Sequence, residues 1–369
     1  MRKLLALALL AGAIAPALAQ DPAPKQPAKI VPQEPKAKQK VEVTLKVGDK
    51  APPLRATKWL QGAEVKEFAA GKTYVVEFWA TWCGPCIVMM PHMGELQAQY
   101  KDKGVTFIGY SAKDPNNSQE KVEAMVMKKG PALGYTFAYA DDRESYDAWM
   151  RAAGRNGIPC CFVVNKEGKI AYVGHPMYLD VVLPKVVAGK WTEDDLKTLD
   201  EIEKEVNAVF QATRDPSPEV YLDKLAAFEK AHPELAGIPY FNGSRINALL
   251  KAKKIEDAKK LCEKLIAKGA KASDDMLLGT VASALRGPAA EKNKDLLALS
   301  LKSAEAALKV AGDKDWRALL GVADAQFANG NAEQARAFGA KALAATEKES
   351  AAIKAFVEKQ IKTFEKKSD

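Results

Sequence analysis

The sequence has few histidines and few cysteines, and it has no long apolar run after its first twenty residues. Of 369 residues, three are His and five are Cys, and the histidines (His92, His175, His232) lie far apart. A structural zinc site needs about four Cys or His ligands, usually at short spacing, so no metal site is predicted. A helix crossing a bilayer needs roughly 20 apolar residues, so no integral membrane segment is expected.

The folded part of the sequence also lacks a cluster of basic residues, although the net charge is +8. Most of the positive excess lies in residues 1–41, and residues 192–369 carry equal numbers of acidic and basic side chains. A protein that follows a phosphate backbone needs its basic residues grouped on one folded face. Nucleic acid is therefore excluded as a predicted partner.

The N-terminal residues have the pattern of an export signal. A positive start at Arg2 and Lys3 is followed by a short apolar run and by small residues ending at Ala19. Residues 1–19 are typical of a secretory signal peptide, and residues 20–41, rich in Pro and Lys, are typical of a solvated linker. We expect cleavage near Ala19 and a periplasmic or secreted mature protein.

Residues 42–191 alternate strand-like and helix-like segments. The run TYVVEFWA (73–80) predicts a buried strand, and a helix is expected from Cys86 to Tyr100. Further strands and helices follow, among them a strand over 104–112 and a helix over 144–154, and the segment ends with a hairpin and a closing helix. This order predicts a mixed α/β sheet that is covered on both faces.

Residues 192–369 are rich in Ala, Leu, Lys and Glu with helical periodicity, which predicts an all-α domain with Thr192 as its first N-cap. Residues 319–345 are typical of a helix, a Gly-Asn turn and a second helix, and similar helix ends recur earlier. This block resembles a tetratricopeptide repeat, although some of the large aromatics of that motif are missing. A generic antiparallel helical bundle is the alternative.

The stretch TWCGPC (81–86) places two cysteines two residues apart. A zinc site would need more ligands, and a structural disulfide gains little from closing so short a loop. A redox-active pair is favoured, because a strand that runs into Cys83 places this thiol at the start of a helix. There the helix dipole and unpaired N–H groups stabilise a thiolate, while Cys86 lies one turn inside the helix as the resolving thiol.

Residues 74–91, YVVEFWATWCGPCIVMMP, resemble the active-site segment of the thioredoxin superfamily. Glu77 stands where thioredoxins keep a buried carboxylate, and Pro91 matches the proline that kinks their helix. GIPCCFVV (157–164) matches the segment whose cis-proline faces the disulfide.

An additional strand–helix unit, the export signal and VGDKAPPL (47–54) extend this resemblance to the TlpA-type redoxin branch, a group of exported thiol–disulfide oxidoreductases. The resemblance covers about residues 42–190. It implies a thioredoxin fold there and says nothing about the helical segment, which the sequence pattern predicts as a separate domain over residues 192–369.

The resemblance implies that Cys83 attacks a substrate disulfide, that Cys86 resolves the mixed disulfide, and that Glu77 relays a proton. Ile158 and Pro159 are expected to line the groove that holds the substrate backbone. No cofactor beyond the cysteine pair is expected. The implied partners are a protein disulfide substrate and an unidentified thiol–disulfide electron donor. A protein or peptide bound by the helical domain is expected separately, from its stacked helices and its lack of net charge.

Several residues have a second interpretation. Glu77 could be an exposed edge residue, and Trp82 could be a packing aromatic rather than a platform for the substrate. His92 is expected on the helix surface, and Cys262 is expected to be an inert core thiol. The vicinal pair Cys160 and Cys161 departs from the family pattern and is expected to be two buried free thiols.

Two alternative functions are compatible with the fold class of the whole chain. Peroxiredoxins share the fold but have Thr or Ser where this chain has Ala80, and Pro where it has Val76, so a peroxidase is not predicted. A redox-sensing binding module, in which the helical domain captures a partner and the cysteine pair does not turn over, is the remaining alternative.

Overall fold

The computed structural model describes residues 43–290, 293–347 and 349–365. The predicted signal peptide and linker lie outside the described residues. Within those ranges, no helix has both the length and the apolar content that a membrane crossing requires.

A six-stranded mixed sheet forms the centre of the first segment. Its strands are β1 (Lys58–Gln61), β2 (Thr73–Trp79), β3 (Val105–Ala112), β4 (Thr136–Ala140), β5 (Cys160–Val164) and β6 (Ile170–Gly174). They are ordered β1-β4-β3-β2-β5-β6. The neighbours β2, β3 and β4 are parallel, whereas β1 pairs antiparallel with β4, and β5 pairs antiparallel with both β2 and β6.

Helices and turns cover both faces of this sheet. One face packs against α1 (Gly84–Tyr100), α2 (Gln119–Leu133) and α4 (Leu179–Val187). The opposite face packs against a short helix, α3 (Glu144–Tyr146), which continues as a π-helical turn over Asp147–Arg151. All seven residues of β2 are buried, because its side chains alternate between two covered faces.

The α/β prediction for this segment is confirmed, with local differences. The strand prediction at 73–80 lies within a residue of β2, and the hairpin is formed by β5 and β6. β1 was not predicted, because its four residues are only partly buried and do not alternate clearly between apolar and polar. The helix predicted over 144–154 is instead the short α3 and its π-helical continuation.

The rest of the described chain is helical, as predicted. Thr192 caps the first helix of this segment through a reciprocal capping box with Asp195. Consecutive helices pack against one another, but no comparison supports a true tetratricopeptide array, which stays a prediction. The helices are α5 (Glu193–Ala212), α6 (Pro218–Ala231), α7 (Phe241–Lys251), α8 (Ile255–Ala272), α9 (Asp275–Ala284), α10 (Lys294–Ala311), α11 (Trp316–Ala328), α12 (Ala332–Ala344) and α13 (Ala351–Ile361).

The hydrophobic core on the α1 face is continuous across the predicted domain boundary. Buried side chains of α4, such as Leu179 and Leu183, belong to the same cluster as Leu199 and Ile202 of α5. The Trp191 indole donates a hydrogen bond to the carbonyl of Ala171 in β6 at 2.8 Å. The helical segment therefore completes a core that the sheet begins, and the division at residue 191 stays a prediction.

Close packing of α1 on α2 gives a test of this arrangement. A Cβ at Gly94 in α1 would lie 2.6 Å from the backbone carbonyl oxygen of Leu133 in α2. Because a backbone atom cannot move away as a side chain can, Gly94→Ala should lower the free energy of unfolding by about 1–3 kcal/mol. Urea denaturation of the oxidised protein measures this difference.

Gly321→Ala is the matched control, because Gly321 is a helical glycine whose Cβ would meet nothing within 4 Å. That substitution should be neutral or stabilise the protein by up to about 1 kcal/mol. Equal stabilities of the two variants would contradict the close contact between α1 and α2.

Candidate active site

Cys83 and Cys86 form a disulfide at the junction between β2 and α1. Cys83 is the N-cap of α1, and its Sγ accepts a hydrogen bond from the backbone N–H of Cys86 at 3.2 Å. Pro85 occupies the first turn, where its missing N–H costs the helix no hydrogen bond. The sulfur of Cys83 therefore lies at the positive end of the helix dipole, in a position that favours negative charge.

The two cysteines differ in access to solvent. Cys83 is 3% exposed, whereas Cys86 is completely buried. A partner reaching the disulfide from outside therefore meets Cys83 first. The adjacent Trp82 is 53% exposed, and its indole N–H donates a hydrogen bond to Oδ2 of Asp114 at 2.9 Å. Trp82 is thus a fixed aromatic surface beside the pair rather than a core residue.

Glu77 is fully buried in β2, which excludes the exposed-edge interpretation. It lies opposite Cys161 of β5 in the antiparallel register, on the sheet face that α1 covers. Among the described residues, neither carboxylate oxygen has a hydrogen-bond partner. Burial raises the pKa of Glu77 to about 8, so this carboxyl can hold or release a proton near neutral pH.

The peptide bond between Ile158 and Pro159 is cis, as the family resemblance implied, and it directly precedes β5. Both residues are half-buried. Ile158 and Trp82 line one cavity of about 480 Å³, together with Asp114 and Arg143. The structure thus brings two of the predicted substrate-binding residues to a common concave surface.

A buried polar network, which was not predicted from the sequence, holds the loop before Cys83. Asn117 accepts hydrogen bonds from the backbone N–H and the hydroxyl of Thr81, both at 2.9 Å. Its amide nitrogen donates to the hydroxyl of Ser111 and to the carbonyl of Ala112. Asn117 is 1% exposed, so this network fixes the loop inside the protein rather than in solvent.

His92 is not the surface residue that was expected. Its side chain is only 20% exposed, and Nε2 lies 2.6 Å from Oδ2 of Asp180 in α4. Burial alone would lower the pKa of His92, but hydrogen bonds and charge interactions with Asp180 and Glu95 outweigh it and raise the pKa to about 9. A protonated His92 therefore ties α1 to α4.

The remaining three cysteines are free and buried. Burial raises the pKa of Cys160 and of Cys262 to about 12, and it raises that of Cys161 well above its usual value. Neutral thiols are poor nucleophiles. These three residues fill space in the protein and do not compete with Cys83 for substrate.

Comparison with known proteins places the first segment in a family. The Redoxin family model matches residues 46–177. Protein FixW of Rhizobium leguminosarum is 32% identical over 152 residues, which cover 40% of this chain and 69% of that protein. The thiol-disulfide oxidoreductase ResA of Geobacillus thermodenitrificans is 30% identical over 127 residues, covering 34% of this chain and 60% of ResA.

The solved structure of a putative thiol:disulfide interchange protein DsbE from Chlorobium tepidum is also similar. It is 22% identical, covers 39% of this chain and 97% of that chain, and has a TM-score of 0.31. The family match ends at residue 177 and therefore does not include α5–α13.

Because Glu77 has a raised pKa in the folded protein, it makes stability depend on pH. The folded state holds this proton up to about pH 8, whereas the unfolded chain releases it near pH 4.5. The contribution of Glu77 to the free energy of unfolding therefore falls as the pH rises between those two values. The stability of Glu77→Gln relative to the parent should increase by roughly 3–5 kcal/mol from pH 4.5 to pH 9.

Urea denaturation of the oxidised proteins across this pH range gives the difference. Glu64→Gln, the same change at an exposed position, is the control and should show a constant difference. A difference that does not vary with pH at position 77 would mean that the carboxyl is ionised in the folded state.

The state of the vicinal cysteines can be counted directly. Protein denatured without reductant should expose three thiols, from Cys160, Cys161 and Cys262, to a thiol reagent. Cys160→Ser should lower the count to two. A count of one in the parent protein would instead show a vicinal disulfide, and with it a second redox centre.

Proposed function

The chain belongs to the TlpA/ResA-type redoxin branch of the thioredoxin superfamily, a group of thiol–disulfide oxidoreductases, and we propose that it reduces disulfide bonds of proteins outside the cytoplasm. One observation carries the proposal: Cys83 lies at the N-terminus of α1, disulfide-bonded to Cys86, with its sulfur facing a backbone N–H. This arrangement favours a thiolate at Cys83, and the thiolate is the nucleophile in disulfide exchange.

The reaction begins with the reduced pair. The Cys83 thiolate attacks one sulfur of the substrate disulfide, that bond breaks, and the other substrate sulfur leaves as a thiolate. The resulting mixed disulfide is then attacked by Cys86, after loss of its proton. The second substrate thiolate is released and the Cys83–Cys86 disulfide forms. Two electrons have passed from the enzyme to the substrate, whose two thiolates take up protons.

Glu77 is suited to accept the proton from Cys86. It lies on the sheet face that packs against α1, and its pKa of about 8 is close to the pH at which the reaction would run. A general base is most effective when its pKa lies near the working pH. The carboxyl has no competing hydrogen-bond partner among the described residues, so its ionised fraction can receive the proton.

The direction of electron flow is inferred from the two residues between the cysteines. Gly84 and Pro85 add no charge to the site, as in reducing thioredoxins, whose potential is about −270 mV. Turnover in this direction needs a separate thiol–disulfide donor to return electrons to Cys86 and Cys83. Export of the chain is part of the proposal and is based on the pattern of residues 1–19.

The helical segment is proposed to position the client protein. It carries no net charge, so it would recognise an extended peptide through shape and apolar contact rather than through a charge field. Cutting the chain near Lys190 is not a clean test, because the cut would expose Leu179 and Leu183 of α4. The full chain is therefore used to test function.

The two cysteines should behave differently in a trapping experiment. In Cys86→Ser, the Cys83 thiolate still attacks a client disulfide, but the mixed disulfide cannot be resolved and should accumulate. Cys83→Ser should trap no client, because Cys86 is completely buried. Non-reducing gel electrophoresis of the reduced variants mixed with oxidised insulin detects the adduct.

The parent protein should reduce insulin catalytically with dithiothreitol as donor, and Cys262→Ser, which alters a buried thiol outside the site, should do so equally well. A parent protein that binds a partner but does not turn over insulin would favour the redox-sensing module. Equal trapping by both variants would contradict the assignment of Cys83 as the attacking thiol.

A further inference from the structure

Tyr240 extends from the helical segment to the cysteine pair. It lies directly before α7, 155 residues after Pro85, and its hydroxyl donates a hydrogen bond to the Pro85 carbonyl at 2.8 Å. The ring contacts His175 edge to face, with centroids 5.5 Å apart. The side chain is half-buried, so its position is fixed by packing as well as by the hydrogen bond.

The acceptor of this bond belongs to a chemically important peptide group. The carbonyl of Pro85 and the N–H of Cys86 are the two ends of one peptide unit, and this N–H donates to Sγ of Cys83 at 3.2 Å. The hydroxyl of Tyr240, the peptide and the sulfur of Cys83 therefore form a hydrogen-bonded chain. A donor on the carbonyl draws electron density from the nitrogen and makes its N–H a stronger donor.

The hydroxyl remains a donor throughout the working pH range. Burial raises the pKa of Tyr240 far above its usual value, and the nearby Glu77 adds to this effect. Tyr240 therefore stays protonated. The carbonyl of Pro85 can only accept, so the direction of the hydrogen bond is fixed.

We propose that Tyr240 is a positioning residue for disulfide exchange. Its hydroxyl polarises the Pro85–Cys86 peptide and so stabilises the Cys83 thiolate. The role in catalysis rests on the proposed function, but the effect on the sulfur does not. A thiolate accepts a stronger hydrogen bond than a sulfur in a disulfide does. The interaction therefore favours the reduced pair over the disulfide, and it makes the helical segment part of the redox site.

Tyr240→Phe tests the proposal, because it removes the hydroxyl and keeps the ring against His175. The substitution is made in full-length protein on a Cys86→Ser background, which retains the backbone N–H and leaves Cys83 as the reactive thiol. Alkylation of Cys83 by iodoacetamide is followed by mass spectrometry from pH 5 to pH 10. The pH midpoint of Cys83 alkylation should rise by roughly 0.2–0.6 pH unit in the Phe variant. Cooperative polarisation changes the strength of a hydrogen bond by roughly 10–30%.

Below the midpoint, alkylation of the Phe variant should be slower by roughly 1.5–4-fold. With both cysteines present, equilibrium with glutathione above the midpoint should move toward the Cys83–Cys86 disulfide by a similar factor. Tyr221→Phe is the matched control, because its hydroxyl donates to the carbonyl of Phe241 at 3.4 Å, in the same segment but away from the sulfur. This control should leave the midpoint unchanged.

An unchanged midpoint in Tyr240→Phe overturns the proposal, as does an equal rise in the Tyr221→Phe control. A loss of unfolding free energy without a change in the midpoint also overturns it and makes Tyr240 a brace only. Failure of the parent protein to reduce insulin would refute the proposed function, but it would leave the comparison of alkylation midpoints intact. The two ideas therefore fail on different measurements.

Discussion

β2 lies in the interior of the sheet with every residue buried, and this double burial constrains the region around the cysteine pair. The strand must present apolar side chains to both faces, so the one carboxyl within it, Glu77, is held without solvent or partner among the described residues. The end of the same strand fixes where α1 begins and therefore where Cys83 meets the helix dipole. An acid with a raised pKa and a thiol at a helix N-terminus thus result from one buried strand.

The sequence predicted the elements whose side chains follow a regular burial pattern. β2, β3 and the hairpin are apolar runs bounded by turn residues, and Thr192 starts a helix through local capping chemistry. β1 was missed because this short, partly exposed strand depends on tertiary contacts, such as its pairing with β4, rather than on a local apolar pattern. The π-helical turn at Asp147–Arg151 was missed because its register depends on packing of Trp149 against the sheet rather than on local periodicity.

The candidate site was predictable to the extent that its chemistry is local in sequence. Cys83, Cys86 and Glu77 fall within ten residues, and Pro159 carries a motif of its own. Asn117 was not predictable, because an Asn in a loop usually indicates only a turn, and its network forms only when β3 and the Thr81 loop meet. Tyr240 joins the site through tertiary packing across more than a hundred residues, and no spacing rule reaches that far.

The continuous core on the α1 face also means that the sheet cannot complete its core until the helical segment has been synthesised. The chain is made from its N-terminus, so the sheet and the cysteine pair precede α5–α7, and Leu179 and Leu183 of α4 are not covered by their later neighbours until those helices are present. During that interval the chain already contains four of its five thiols, because Cys262 lies later, in α8. Correct pairing of Cys83 with Cys86 is favoured by their closeness in sequence, whereas Cys161 belongs to the cluster that the helical segment completes. The core cluster that contains Cys161 is therefore complete only once the helical segment has joined the sheet.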